Sequence, residues 1–410
     1  MEKYKKTNFL SMLCIQTLAG FSSWIDIFLI FSVPAFIWKS SPSEIALVAA
    51  LYGLPSLVIG PIFGAFLDRN DPRKLMLLGA FLRTLLTILI AFSSSYEIFA
   101  ILVFLKGLAN LIYWPSSTIF TNQAIQKGLR VSYFSTLSAL DQFAKVVTPM
   151  LAGILALKFP SQLIFLVSAA LTGCCFFLVL NFAHDLDLQG KKDVRDVKSL
   201  IANLIEGFRS FSKLPNALLM SMSMTIGISL SLAIYDPHLA SFISSKGFDA
   251  TIFSIVVSST AAGAIAAAIA VRLLFKDKTA GFLMRSGVVI FNVAIFSSAS
   301  IIAIAPIYLN KATFICLWFI NGFGYELFTI GASVNIQNLC PQHLLGRVST
   351  SLRSASTAAI VLAPSFGALL IAEGGRSMPF IASAVLSLLI LGMALLWRKA
   401  STDVISESNV

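Results

Sequence analysis

The sequence predicts an all-α membrane protein: twelve transmembrane helices in two six-helix halves, with both termini in the cytoplasm. Three observations lead there. Of the 410 residues, 57% are hydrophobic and only 12% charged, with 34 Phe and a mean hydropathy of +0.86; a soluble protein carries about 25% charge. The apolar residues gather in stretches of about 20 or more, enough to cross a hydrocarbon layer about 30 Å thick. The cations are sorted between the connecting segments. With the N-terminus inside, 22 of the 30 Lys and Arg fall on the inner side, five (Lys39, Lys158, Lys246, Lys311, Arg376) on the outer side, and three (Arg83, Lys106, Lys145) within stretches. Inner loops carry such an excess, so the net charge of +11 reports topology and gives no reason to expect nucleic acid.

Backbone without water must satisfy itself, so each stretch is expected to be a helix, and the alternation of a membrane barrel is absent. The spans run 8–37, 42–67, 75–94, 97–121, 131–157, 161–183, 217–243, 250–275, 281–305, 312–338, 348–372 and 378–397. Residues 1–7 and the first span look like a signal peptide, but the apolar run is too long and lacks a small-residue cleavage site. Spans 2 and 3 are joined by GPIFGAFLDRNDPRK at 60–74. There Gly60, Gly64 and Ala65 allow close helix packing, Asp68 and Arg69 reach the water boundary, and Arg73 and Lys74 follow an Asn-Asp-Pro turn. A buried helix ending in such a cluster forms a junction that can make and break as a unit.

Between spans 6 and 7 lies the longest polar stretch. It begins as a solvated linker, HDLDLQGKKDVRDVK, and ends SLIANLIEGFRSFSK, where Leu200, Ile201, Leu204, Ile205 and Phe208 recur at helical spacing. An amphipathic helix on the inner surface is expected there. The chain thus divides into a first half (1–183), a cytoplasmic linker (184–213), a second half (214–397) and a cytoplasmic tail (398–410). In span 7 the Asp236-Pro237 bond disfavours helix at Asp236. Span 5 opens RVSYFSTLSALDQFAKVVTPMLAG at Arg130, and span 11 opens GRVSTSLRSASTAAIVLAPSFGA at Gly346. Each has Arg-Val-Ser, a Ser/Thr-rich stretch and then a Pro, Pro149 or Pro364. At the place of Asp68, Arg69 and Arg73, the second half has Val271, Arg272 and Lys276. Two weakly repeated halves joined by a linker are the plan of a secondary transporter with a central site. Cys14, Cys174, Cys175, Cys316 and Cys340 show no metal spacing and imply no disulfide; no metal and no cofactor are expected.

Gly64, Asp68, Arg69 and Arg73 meet the pattern G-x-x-x-D-R-x-x-x-R, and on it the chain resembles the major facilitator superfamily over its whole length. GFSSWIDIFLIF, LIEGFRSFSKLPNALL and LLGRVSTSLRS are similar to the drug and siderophore exporters that include macrolide-efflux and enterobactin-exit proteins. The sequence departs from these exporters in two places. Lys106 is the nearest cation to the helix-4 Arg of many drug antiporters, and the helix-5 exporter signature is reduced to Thr148-Pro149 with Ala152-Gly153.

Ionisable groups at mid-bilayer cost a few kcal/mol, so each calls for a partner or a function. Six stand out as substrate or proton-coupling candidates: Asp26, Lys106, Asp141, Lys145, Asp236 and Glu326. Asp141 and Lys145, four apart, share a helix face. They form either a static pair or one that Asp141 exchanges for a proton or substrate, with Lys106 as a second partner. The exporter resemblance places an acid at Asp26 facing the cavity; packing against helix 5 is the alternative. Glu326 has no cation on its own helix, and an unpaired buried carboxylate is poised to titrate, so Asp26 and Glu326 are expected as proton carriers, one per half. Asp236 marks either a broken helix beside a cavity or a plain kink, and His238 is expected at a boundary. Trp24, Tyr113, Trp114, Tyr235 and Tyr325 are candidate cavity aromatics, with Phe323 beside them, suited to an amphipathic substrate. Asn110, Gln142, Asn292, Asn321 and Asn335 could add hydrogen bonds, and Lys106 and Lys145 would alternatively suit an organic anion.

For the cytoplasmic gate, the resemblance implies that Asp68 meets the N-terminus of helix 11 near Arg347 and Arg353, with Gly64, Arg69 and Arg73 completing the latch. Proton-coupled export of amphipathic organic compounds is the leading expectation, and import of a siderophore-like anion or lysophospholipid flipping the alternative. Partners are a small organic substrate, protons and the lipid bilayer, with a monomer in a bacterial inner membrane. An enzyme is disfavoured by having only three His and no His-Glu-x-x-His, and a primary pump by the missing phosphate loop.

Overall fold

The computed structural model describes residues 2–60, 63, 70–126, 129–182, 215–304, 310–340 and 345–407. Among them the ordered elements are all helical. The first six are α1 (Glu2–Ser32, extended by a π turn, Val33–Ile37), α2 (Pro42–Val58), α3 (Pro72–Ala91), α4 (Tyr96–Ala124), α5 (Arg130–Ala156) and α6 (Ser161–Phe182). There follow α7 (Asn216–Tyr235), a 3₁₀ turn (Asp236–His238), a short helix (Leu239–Ser245), α8 (Ala250–Leu273), α9 (Ala280–Ile304), α10 (Lys311–Leu339), α11 (Leu345–Gly374) and α12 (Met378–Glu407). Eleven spans among the described residues are long and apolar enough to cross a membrane, and Pro42–Val58 is a shorter apolar helix. All were expected from the apolar stretches.

Boundaries differ at both ends. α1 starts at Glu2 and α12 runs on to Glu407, so the expected tails continue their helices; neither segment holds a Pro or Gly to stop one. In the second span the continuous helix ends at Val58, with Gly60 and Phe63 helical beyond it, and the linker 184–213 with its expected amphipathic helix lies outside the described residues.

Side chains close the helix starts. Ser41 and Glu44 form a capping box on α2. Asp71 accepts from Arg73 N on α3, Ser95 from Ile98 N on α4, and Asn310 from Thr313 N on α10. A 3₁₀ turn interrupts the helix at Asp236–His238, but Asp236 itself keeps α-helical dihedrals (φ −58°, ψ −45°), contrary to the expectation for a residue before proline. α1 bends at the matching end through its π turn, which holds Pro34.

The chain divides into two compact units, Met1–Ile201 with Gly247–Ser254, and Ala202–Lys246 with Ile255–Val410. In the first, α1 packs on α5 and α6, α3 on α4 and α6, and α4 on α2. In the second, α7 packs on α10, α11 and α12, and α9 on α10 and α12. The two units repeat one another in detail. Ser22 on α1 and Ser168 on α6 join hydroxyls at 2.9 Å; Ser231 on α7 and Ser383 on α12 do the same at 2.6 Å. All four are buried, and each tie holds the first helix of its unit to the sixth, as small polar residues do between membrane helices. Gly79 lies against the Tyr113 backbone, and Gly287 against that of Phe328. A Cβ at Gly107 would meet Tyr52 O, and one at Gly322 would run into Thr260 O.

Backbone contact at those glycines leaves no room for a side chain. Gly107→Leu and Gly322→Leu should therefore each lose most monodisperse protein in fluorescence-detected size-exclusion after detergent extraction. Gly392→Leu, where nothing lies within 4 Å of the new Cβ, should behave as wild type.

Candidate functional site

Four residues beyond Ser22, one turn along α1, stands Asp26, and one residue before Gly107 on α4 stands Lys106. The serine tie and the glycine contact place both at the bundle centre. Asp26 Oδ2 lies 2.6 Å from Lys106 Nζ, each side chain 1% exposed. Asp26 Oδ1 accepts from Ser168 Oγ at 2.7 Å, and Lys106 also donates to Thr87 on α3. Charges this deep persist only when paired and hydrogen-bonded, and four helices supply the partners. The sequence suggests Lys106 as a partner of Asp141; in the structure it belongs to Asp26.

Beside them sits Arg83 on α3, a residue absent from the six candidates. It is fully buried, four residues after Gly79. Its Nη2 donates to Ser23 Oγ at 2.7 Å and towards Ala19 O at 3.4 Å. The guanidinium carbon stands 4.6 Å from the Tyr113 ring centre and 5.3 Å from that of Trp114. Nε and Nη1 have no hydrogen-bond partner, and the two aromatic faces stand in for them. The rule that singles out Lys106 applies equally to Arg83, which charge sorting counts only as one of the cations inside the spans.

The same places in the second unit are neutral. Tyr235 follows Ser231 by four, Asn321 precedes Gly322, and Phe291 follows Gly287 by four. Tyr235 donates its hydroxyl to Asn321 Oδ1 at 3.2 Å, with both buried. A charged trio in one bundle is thus matched by tyrosine, asparagine and phenylalanine in the other.

A second cluster lies one helix away. Asp141 and Lys145 on α5 do not pair directly. Trp24 on α1 donates its indole N–H to Asp141 Oδ1 at 3.1 Å, and Lys145 Nζ lies over the same indole, 5.5 Å from its centre. Asp141 is exposed and lines a cavity of about 340 Å³ with Gln16, Thr17, Gly20, Trp114, Phe134, Leu137 and Leu140.

Other expectations are redistributed. Tyr113 is buried behind Trp114. Tyr235 belongs to a packed aromatic cluster with Trp318 and Phe380, and Phe323 to an apolar cluster with Leu327. Tyr325 is half-buried against Phe291. The asparagines tie helices together: Asn110 to Tyr52, Asn292 to Ser387, Asn335 to Ser221. Gln142 is half-buried, and its Oε1 has no partner. Glu326 is half-buried and not unpaired, contrary to expectation; Asp236, exposed at the break, has a partner as well. His238, expected at a boundary, is buried in the protein, with Nε2 2.8 Å from Pro364 O.

Of the gate residues, Gly64, Asp68 and Arg69 lie outside the described residues. Arg73 Nη2 donates to Leu180 O at 3.2 Å, near the C-terminus of α6, where backbone carbonyls attract a cation. Arg347 and Arg353 lie on the first turns of α11, their side chains outside the description.

Removing one partner of a buried pair strands the other charge, at a cost of about 3–5 kcal/mol. Lys106→Met should therefore lower the melting temperature in detergent more than the double variant Asp26→Asn/Lys106→Met, and the two single effects should be strongly non-additive.

The sequence matches the Major Facilitator Superfamily over residues 12–359. It is 23% identical over 413 residues to the uncharacterized MFS-type transporter YfiS of Bacillus subtilis (strain 168), covering 98% of this chain and 96% of that protein. The fold resembles a mutant form of the nucleoside transporter NupG (TM-score 0.78, 11% identity, 95% of this chain and 99% of that one). It also resembles a bacterial homologue of the iron transporter ferroportin in an inward-facing state (TM-score 0.75, 15% identity, 97% and 99%). A bacterial homologue of the human lysosomal transporter Spinster is similar too (TM-score 0.73, 12% identity, 97% and 98%). Family and relatives are transporters and not enzymes. The apolar helices, the repeated bundles and the match across most of the chain together establish that this protein belongs to the major facilitator superfamily and is a multi-pass membrane transporter.

Proposed function

We propose that this transporter exports amphipathic organic compounds in exchange for protons, with both termini cytoplasmic. The observation that carries the coupling is the sealed Asp26–Lys106 pair, 1% exposed on each side. A neutral Tyr235–Asn321 hydrogen bond occupies the same place in the other unit. Packing there does not demand charge, so the charge in the first bundle is held for use. A proton arriving on Asp26 would dissolve the ion pair and release α4 from α1, which makes the pair a two-state element of the kind a coupled cycle needs. The outward direction rests on the exporter-like stretches in α1, leading into α7 and at the start of α11, and the orientation on the sorting of Lys and Arg.

Asp68, Arg69 and Arg73 are proposed as the inner latch, with Gly64 allowing close approach and Arg347 and Arg353 opposite. Arg73, at the start of α3, donates to Leu180 O near the C-terminus of α6. Asp236 and Glu326, each with a partner of its own, stand as secondary candidates for coupling in the second unit.

Purified protein in proteoliposomes with an imposed pH gradient, offered dyes, macrolides and siderophores, tests the coupling. Substrate should move against the proton flow, and Asp26→Asn should lose gradient-driven transport while keeping exchange without a gradient. Transport indifferent to the gradient would exclude antiport, and movement with the protons would mean symport and import. Asp68→Asn should abolish transport at near-normal expression; full activity would remove the latch.

A further inference from the structure

Asp141 and Lys145 are four residues apart on α5, the spacing at which acid and base neutralise one another on a helix face. In the folded bundle they do not. The Trp24 indole engages both: its N–H donates to Asp141 Oδ1, and its face receives Lys145 Nζ. Trp24 is not among the residues lining the 340 Å³ cavity, whereas Asp141 is.

The wall around that carboxylate is otherwise aromatic and aliphatic, from Trp114, Phe134, Leu137 and Leu140, with the amide and hydroxyl of Gln16 and Thr17. Gln16 Nε2 is committed to Ser117 and Thr121, while the buried Thr17 hydroxyl has no partner. Among the described residues lining it, Asp141 is the one ionisable side chain. An acid facing aromatic rings, with the nearby ammonium held off on another surface, is complementary to an organic cation carrying an apolar body.

We infer that Trp24 is a specificity-determining residue: by engaging both Asp141 and Lys145 it prevents their mutual neutralisation and leaves the Asp141 carboxylate free for an organic cation in this cavity. This rests on the reading of the protein as a transporter of amphipathic compounds and narrows it to cations at the α1–α5 wall. Without the indole, the acid and base have no better partner than each other, and the cavity loses its charge.

The test is equilibrium binding to the purified full-length protein in nanodiscs, with no pH gradient, so that its outcome is independent of proton coupling. The probes are tetraphenylphosphonium and tetraphenylborate, nearly the same shape with opposite charge. Wild type should bind the cation at least about 10-fold more tightly than the anion, a difference of about 1.4 kcal/mol. Asp141→Asn should abolish that preference, and Trp24→Leu should do so with the carboxylate still present. The double variant Trp24→Leu/Lys145→Met should restore cation binding, because Asp141 then has no internal cation to close upon. Rescue separates this role from simple loss of packing, which Lys145→Met would not repair. Equal binding of both probes by wild type, unchanged cation binding in Asp141→Asn, or no rescue in the double variant would each overturn the inference. If binding behaves as described but transport ignores the pH gradient, the cation site stands and proton coupling falls.

Discussion

A bilayer offers no water to a buried charge, and that constraint organises the first bundle. Asp26, Lys106 and Arg83 come from α1, α4 and α3, yet each would be costly alone at this depth. The carboxylate is bound by Lys106 on one oxygen and by Ser168 on the other, Lys106 is shared with Thr87, and Arg83 is spread between Ser23 and two aromatic faces. The serine tie between α1 and α6 and the glycine contact between α2 and α4 bring these helices close enough for the pairing. Close packing and charge pairing therefore depend on each other here.

The second bundle shows what the same scaffold does with neutral residues at those three places. Its serine tie and glycine contacts recur, but Tyr235, Asn321 and Phe291 stand where Asp26, Lys106 and Arg83 would be. Phe291 packs on Tyr325, and Tyr235 joins an aromatic cluster with Trp318 and Phe380. Duplicate architecture thus carries unequal chemistry, charged at these places in one unit and neutral in the other.

Much of this was legible in the chain. Helices follow from apolar length alone, because hydrocarbon allows the backbone no other partner, and the 3₁₀ turn at Asp236–His238 holds Pro237, which has no N–H for the helix ladder. Asp26, Lys106, Asp141, Lys145, Trp24 and Trp114 were recognisable as unusual residues within spans, and all of them take part in the two clusters. Their pairing was not legible. Spacing four apart favoured Asp141 with Lys145, but Trp24, more than a hundred residues earlier in the chain, intervenes. Asn292 and Asn335 read as potential substrate ligands and prove to be ties between helices, since polarity reveals a need for a partner without naming it.

By itself the sequence determined the class of solvent, the apolar helices and the twofold plan. These depend on composition and on distances of a few residues along the chain. Tertiary structure alone decided which charges meet, that Arg83 joins them, and that Asp141 faces a cavity without its helix neighbour. Those outcomes depend on the rotation and approach of helices whose contacting residues lie some 20 to 150 positions apart, which no local pattern encodes.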